Sequence, residues 1–156
     1  MYHIRIIAVG TLKEPHWKSA CEEYLKRMRP FSRIEIIEVK DSAFTKPSEK
    51  NRVLENEGKR IAEHIKRDSF VIALDREGTQ YSSERFASAI QQKGEVGDCI
   101  TFVLGGPLGI SKSFLEKTSL RLSFSQLTFP HQLARVVLME QLYRAMAILH
   151  GKQYHY

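Results

Sequence analysis

The sequence predicts an α/β domain with a largely parallel sheet covered by helices on both faces. Three observations lead there. Short apolar runs alternate with helix-length segments from one end of the chain to the other. Two of these runs, SFVIALD (residues 69–75) and CITFVLG (residues 99–105), are continuously apolar, as strands buried on both faces must be. A chain of 156 residues is also long enough to bury a core as one domain without metals or disulfides.

Taken in order, IRIIAVG (residues 4–10) is rich in β-branched residues and predicts the first strand. Residues 15–28 predict a helix with Trp17, Cys21, Leu25 and Met28 on one face. RIEIIEV (residues 33–39) alternates like a strand with one wet face. DSAFTKPSEKN is a polar connector with Pro47 near a helix start, and the helix over about 49–66 carries a thin stripe of Leu54, Ile61 and Ile65. After residues 69–75, SSERFASAIQQK predicts a helix entered through Ser82 or Ser83 and followed by a turn at Gly94 and Gly97. After residues 99–105, Ser113 and Glu116 have the spacing of a capping box on a short helix. LRLSFS (residues 120–125) predicts the last strand. Phe129-Pro130 turns the chain, because a residue before proline is pushed out of the helical region. A long helix over about 131–150 then runs to Gly151, a helix-ending residue. With no internal repeat, low-complexity tract or boundary, residues 1–156 are expected to form a single domain.

The last helix is apolar on more sides than the ~100° stripe one core contact requires. Leu133, Val136, Val137, Leu138, Met139, Leu142, Tyr143, Met146 and Leu149 are spread around it. It is either a central helix, or one that meets the sheet on one face and a second subunit on another; the second is expected. Glu140 and Arg144, four residues apart, are expected to pair on its exposed side, for about 0.3–0.5 kcal/mol.

The net charge of +6 is uneven: residues 1–67 hold 15 Lys/Arg against 10 Asp/Glu, and the remainder 9 against 8. That excess is compatible with a polyanionic partner without establishing one. Cys21 and Cys99 have no CxxC partner and suit small buried hydrophobes in a reducing compartment. No segment has signal-peptide or membrane-spanning character, so a cytoplasmic location is expected, with no membrane role. The histidines lack metal-ligand spacing, and no metal is expected.

VLGGPLGISKS (residues 103–113) resembles a phosphate loop but fails its spacing, since counting from Gly105 or Gly106 puts Ile110 or Ser111 where the second glycine belongs. A dinucleotide fingerprint is absent too. In parallel sheets, however, ligands sit beyond the carboxyl ends of strands, where the loops after Leu74, Leu104 and Phe124 are expected to converge. Gly105, Gly106 and Gly109 would let a flat ligand approach the backbone there. Apolar side chains with the Ser125 and Thr128 hydroxyls have the chemistry to hold an adenine.

FVLGGPLG, LSFSQLTFPHQLARVVLMEQLYRA (residues 122–145), the tail GKQYHY, AVGTLKEPHWKSACEEYLKR and Leu74-Asp75 together resemble the ribosomal RNA large subunit methyltransferase H family. This is a small member of the SPOUT class of S-adenosylmethionine-dependent methyltransferases. The resemblance covers nearly the whole chain. It implies a SPOUT-type α/β fold with a C-terminal trefoil knot, a homodimer, and methylation of N3 of a pseudouridine in large-subunit (23S) rRNA of the ribosome. It carries the S-adenosyl-L-methionine contacts onto Leu74, Gly105, Phe124, Ser125, Gln126, Leu127, Thr128 and Phe129. Tyr156 stands where the family usually has a basic residue.

A uracil-type N3–H needs a proton acceptor or a group that stabilises the anion. The candidates are His155, Tyr154, Arg144 and Arg135, with His155 closest in ordinary pKa. Lys13, Lys18, Arg27, Arg29 and Arg33 are candidate phosphate contacts. A nucleotide-dependent enzyme using the Gly105 loop and a non-catalytic ribosome-binding protein remain the alternatives.

Overall fold

A computed structural model of the protein describes residues 1–97 and 99–154. The elements are β1 (Tyr2–Val9), α1 (Pro15–Met28), β2 (Ser32–Val39), a 3-10 turn (Pro47–Glu49) entering α2 (Lys50–Ala62), β3 (Phe70–Gln80), α3 (Ser83–Glu95), β4 (Ile100–Leu104), α4 (Lys112–Leu115), β5 (Leu120–Ser123) and α5 (His131–Leu149). The strands form one sheet of order β2-β1-β4-β3-β5. Every pairing between them is parallel.

β1 explains why the strands read as continuous apolar runs. Its Ile4, Ile6 and Ala8 join the core beneath α1, α3 and α5, with Phe102, Leu138, Met139, Leu142 and Met146. Its Ile7 and Val9 face the other way, onto Ile61 of α2 and Phe114 of α4. Burying each such side chain is worth about 1.5–3 kcal/mol. Arg5 lies on this second face and pairs with Glu35, its register partner on β2, at 2.7 Å. It also donates to the His64 carbonyl, which ties the end of α2 to the sheet.

α5 runs between α1 and α3 against the sheet. Three sides of its broad apolar surface are therefore met within the chain, and Leu133, Val136 and Val137 are left half-buried. Gly151, at φ +62, ends it as expected, and the Lys152 amide reaches back to the Ala147 carbonyl.

Local chemistry shifts several boundaries. α2 stops at Ala62 rather than continuing to about 66, and its last residues close single turns from His64 to Ile61 and Ile65 to Ala62. Ser82, not Ser83, caps α3. The capping box expected at Ser113 and Glu116 is replaced by Ser111, whose hydroxyl accepts the Phe114 amide. Ser111 is the extended residue at that entrance, whereas Ser113 already lies in the helix and donates to Glu55 at 2.8 Å. Among the described residues, no helix is long and apolar enough to cross a membrane.

Candidate active site at the carboxyl ends of the strands

The parallel register brings three strand ends to one level. Ala73 pairs with Val103 and Leu74 with Leu122. Leu74, Leu104 and Leu122 therefore stand in a row, and the chain departs from the regular ladder beyond each.

At the first exit, β3 does not stop at Asp75. Leu74 and Thr79 both pair with Leu122, so residues 75–78 bulge outward before pairing resumes. Arg121 holds Asp75 with Nε at 2.8 Å and Nη2 at 2.5 Å. A Cβ on Gly78 would lie 2.6 Å from the Arg121 backbone, so the bulge presses flat against β5. The Arg76 carbonyl accepts the Ser123 hydroxyl at 2.9 Å, and the Arg76 guanidinium donates to the Thr128 hydroxyl at 3.3 Å. These bonds join the first exit to the third. Beside them opens a cleft of about 410 Å³ lined by Arg76, Glu77, Gly78, Gln80 and Gln126; Gly105 does not reach it.

At the second exit, the Gly109 amide closes a four-residue turn on the Gly106 carbonyl at 3.0 Å, with Pro107 in its second position. Gly109 has φ +86, which favours glycine. A Cβ on Gly105 would lie 2.3 Å from the Gly109 carbonyl oxygen. Closure of the loop on itself is thus already reason enough for glycine at Gly105, before any ligand approaches. Gly105→Ala is expected to cost about 1–3 kcal/mol through forced backbone movement, read as a lowered midpoint in denaturant.

The third exit, residues 124–130, starts at the sheet edge and ends at α5. The first turns of α5 meet the end of β1: Gln132 accepts the Lys13 amide at 2.9 Å, and Arg135 donates to the Gly10 carbonyl at 3.0 Å. Because β4 and β3 lie between β1 and β5, this segment must cross their ends. Phe124, Ser125 and Phe129 are half-buried, while Gln126, Leu127 and Thr128 are exposed, Leu127 at 74%. The Ser125 hydroxyl accepts the Leu127 amide at 3.0 Å and fixes the bend. An outward leucine beside hydroxyls and backbone amides suits a ligand ring with apolar faces and polar edges.

Arg135 is only 2% exposed; it is ion-paired with Glu38 as well as bound to Gly10. Two of its nitrogens are thus held within the fold, while its buried Nε has no hydrogen-bond partner among the described residues. His131 nearby is held below the usual histidine range, chiefly by burial and then by the Arg135 charge.

The tail forms a second cluster. Glu140 and Arg144 pair with Nε at 3.0 Å and Nη2 at 2.6 Å. The pair was expected on the exposed side, but both side chains are partly covered, 19% and 23% exposed. Tyr154 folds back over them: its ring lies 5.0 Å from the Arg144 guanidinium and packs edge-on against Tyr143 at 4.7 Å. Burial, with a hydrogen bond to Tyr24 and the nearby Glu140 charge, pushes the Tyr154 hydroxyl up to about 12. At neutral pH it keeps its proton and acts as a donor. His155 lies outside the described residues. Tyr143 stands 12 residues beyond His131, or ~18 Å along the helix axis. Within one chain, the tail cluster and the strand-end loops are therefore apart.

Lys13, Lys18, Arg29 and Arg33 are exposed. Arg27 is engaged, paired with Glu23 at 2.8 Å and lying over the Tyr24 and Tyr143 rings. Among the described residues, no group of three or more His, Cys, Asp or Glu side chains is arranged to hold a metal ion.

Residues 2–155 match the model of a family described as "Predicted SPOUT methyltransferase". The chain is 46% identical over 156 residues to the ribosomal RNA large subunit methyltransferase H of Carboxydothermus hydrogenoformans, covering 97% of this chain and 98% of that one. The chain belongs to the ribosomal RNA large subunit methyltransferase H family of SPOUT methyltransferases.

The family member of Pelotomaculum thermopropionicum is 42% identical over 160 residues, with both chains fully covered. A solved structure of TrmJ from Z. mobilis ZM4 is similar in fold, with a TM-score of 0.52 at 11% identity, over 93% of this chain and 70% of that one. The parallel sheet with helices on both faces is thus the SPOUT fold. One buried polar group at the site of this SPOUT chain escaped sequence reasoning. Glu57, 4% exposed, sits on α2 between Leu54 and Ile61 and faces the Gly106 turn. The signal was present: a carboxylate on an otherwise apolar helical stripe needs a buried partner.

Proposed function

We propose that this protein transfers the methyl group of S-adenosyl-L-methionine to N3 of a pseudouridine in large-subunit (23S) ribosomal RNA, as a cytoplasmic homodimer acting on the assembled ribosome. The observation that carries the reading is the row of strand ends, Leu74, Leu104 and Leu122 at one level, from which the loops holding Gly105 and residues 124–129 leave the sheet. The names of the curated relatives supply the reaction class and the RNA. A C-terminal trefoil knot belongs to the same reading.

The residues present fit the cofactor. The outward Leu127, the Ser125 and Thr128 hydroxyls, and the open space around Gly109 offer apolar surface and polar edges together. S-adenosyl-L-methionine held there supplies an electrophilic methyl group, so that alignment with the nucleophile is the main remaining demand. Leu74, Gly105 and residues 124–129 bind and orient. Arg144, kept cationic by Glu140, stabilises negative charge on the uracil oxygens as N3 loses its proton. Tyr154 donates a hydrogen bond, and His155 is the candidate acceptor of the N3 proton. Arg135 orients the start of α5 against β1 and so acts on the loop, not on the RNA. Because the tail stands ~18 Å along α5 from the loops, a second protomer supplies the tail to each loop site, which makes the dimer a requirement of the chemistry.

The deciding experiment maps modified nucleosides in 23S rRNA from cells lacking the protein. N3-methylpseudouridine should vanish and return with the wild-type gene; an unchanged nucleoside profile overturns the reading. Intact ribosomes should be methylated in vitro and deproteinised rRNA much less, because a net charge of +6 gives weak hold on naked RNA.

A further inference from the structure

We infer that Glu57 is a positioning residue for the methyl-donor loop, its carboxyl setting the height of the Gly106 turn at the edge of the sheet. The inference rests on the proposed cofactor site. α2 braces that loop at three points. Glu57 Oε2 lies 3.7 Å from where a Cβ on Gly106 would stand, with Val9 closing the other side at 3.1 Å. The neighbouring Gly58 lets Ser111, at the far end of the loop, approach to 3.1 Å of its own missing Cβ. One helical turn earlier, Glu55 accepts the Ser113 hydroxyl at 2.8 Å. Gly106 and Ser111, near the two ends of residues 105–111, therefore both rest against buried positions of the same helix.

The carboxyl is itself fixed from the opposite side. Glu57 Oε1 accepts the Ser42 amide at 3.0 Å. Arg60, one turn further along α2, donates to the Lys40 carbonyl and the Ser42 hydroxyl. The residues after β2 are thus gathered onto α2, and Glu57 stands between them and the glycine turn. Lengthening or shortening this side chain moves a contact beneath the turn while leaving the sheet and the residues 124–129 untouched.

Burial raises the Glu57 pKa, helped by Asp41 and opposed by the Ser42 amide and Arg60. A raised carboxyl pKa favours the protonated form in the folded state. Its stabilising contribution is complete below the ordinary carboxylate range and is lost as the pH rises through the raised value. Glu57→Gln should remove that loss and flatten this part of the pH–stability curve.

The test separates reach from charge. Glu57→Asp keeps the charge and withdraws the carboxyl by one methylene; Glu57→Gln keeps the reach and removes the charge. By calorimetry with S-adenosyl-L-methionine, Glu57→Asp should weaken binding about tenfold, the equivalent of one buried hydrogen bond. Glu57→Gln should stay within about twofold of wild type, and kcat at saturating donor should hold for both, so that the defect lies in binding. Ile90→Val, a core change on the buried side of α3, serves as a destabilised control that should bind normally. Equal binding by wild type and Glu57→Asp, or equal loss in Glu57→Asp and Glu57→Gln, overturns the inference. Wild type that binds no S-adenosyl-L-methionine overturns instead the proposed function on which it rests.

Discussion

Replacing Arg144 by Ala is expected to lower kcat for methyl transfer by about 10²–10³-fold while S-adenosyl-L-methionine affinity stays within about twofold. In the proposed reaction, charge on the uracil oxygens develops only as the N3 proton departs, so a cation acting there would work on the transition state and contribute little to donor binding. The variant should fold. Its partner Glu140 keeps some access to water and still accepts from Gln141 and Tyr154, so the carboxylate is not left unpartnered. Tyr154→Phe removes one donor and should cost less than Arg144→Ala. A tyrosine held up at about 12 has no proton-accepting role to lose at neutral pH. Single-turnover rates and calorimetry on the same preparations provide the check. If affinity falls in step with rate, the tail shapes the donor pocket and the division between loops and tail is wrong.

Mixing two inactive variants should restore activity. Arg144→Ala damages the tail; Leu127→Arg, which places a charge at the most exposed apolar position of the third loop, damages the donor site. If each loop site takes its tail from the partner, a mixed dimer holds one site with both defects and one with neither. Random exchange of protomers makes half the dimers mixed, each with one working site of two, so activity should recover to about a quarter of wild type. A site completed within one chain predicts no recovery at all. Measuring methyl transfer after co-refolding, against each variant alone, decides between them. Clean monomers in light scattering would remove the basis for the experiment and for the dimeric reading together.

The parts of the fold legible in the sequence are those set by local pattern. β1 and β4 are buried on both faces and read as unbroken apolar runs, and α1 shows its stripe from Trp17 to Met28 at helical spacing. The extension of β3 through REGTQ was hidden, because those residues are polar and owe their strand conformation to β5 and to the Asp75–Arg121 pair, 46 residues apart. The confusion of Ser113 with Ser111 had a different source. Both serines have suitable side chains, and only the backbone at Ser111 is extended. The position of the three loops beyond the strand ends was readable from sequence, since the strand-end rule needs only strand positions; that they hold the methyl donor is the proposal. The burial of Arg135 could not be read in the same way: its partners Glu38 and Gly10 lie 97 and 125 residues away. The Glu140–Arg144 pair was visible as an i, i+4 spacing, whereas its roof, Tyr154, depends on how the chain returns after Gly151.

The position of β4 governs how this sheet can be assembled. It lies between β1 and β3, yet it is made after both. On the ribosome, the first three strands emerge with the centre of the sheet missing. β1 can pair with β2, but β3 has no partner until residues 100–104 follow. Until then the apolar edges of β1 and β3 stay open to solvent and to each other, a state in which unpaired strands invite wrong pairing. The nascent chain therefore completes its sheet late, through contacts distant in sequence, which is the kind of topology that folds slowly.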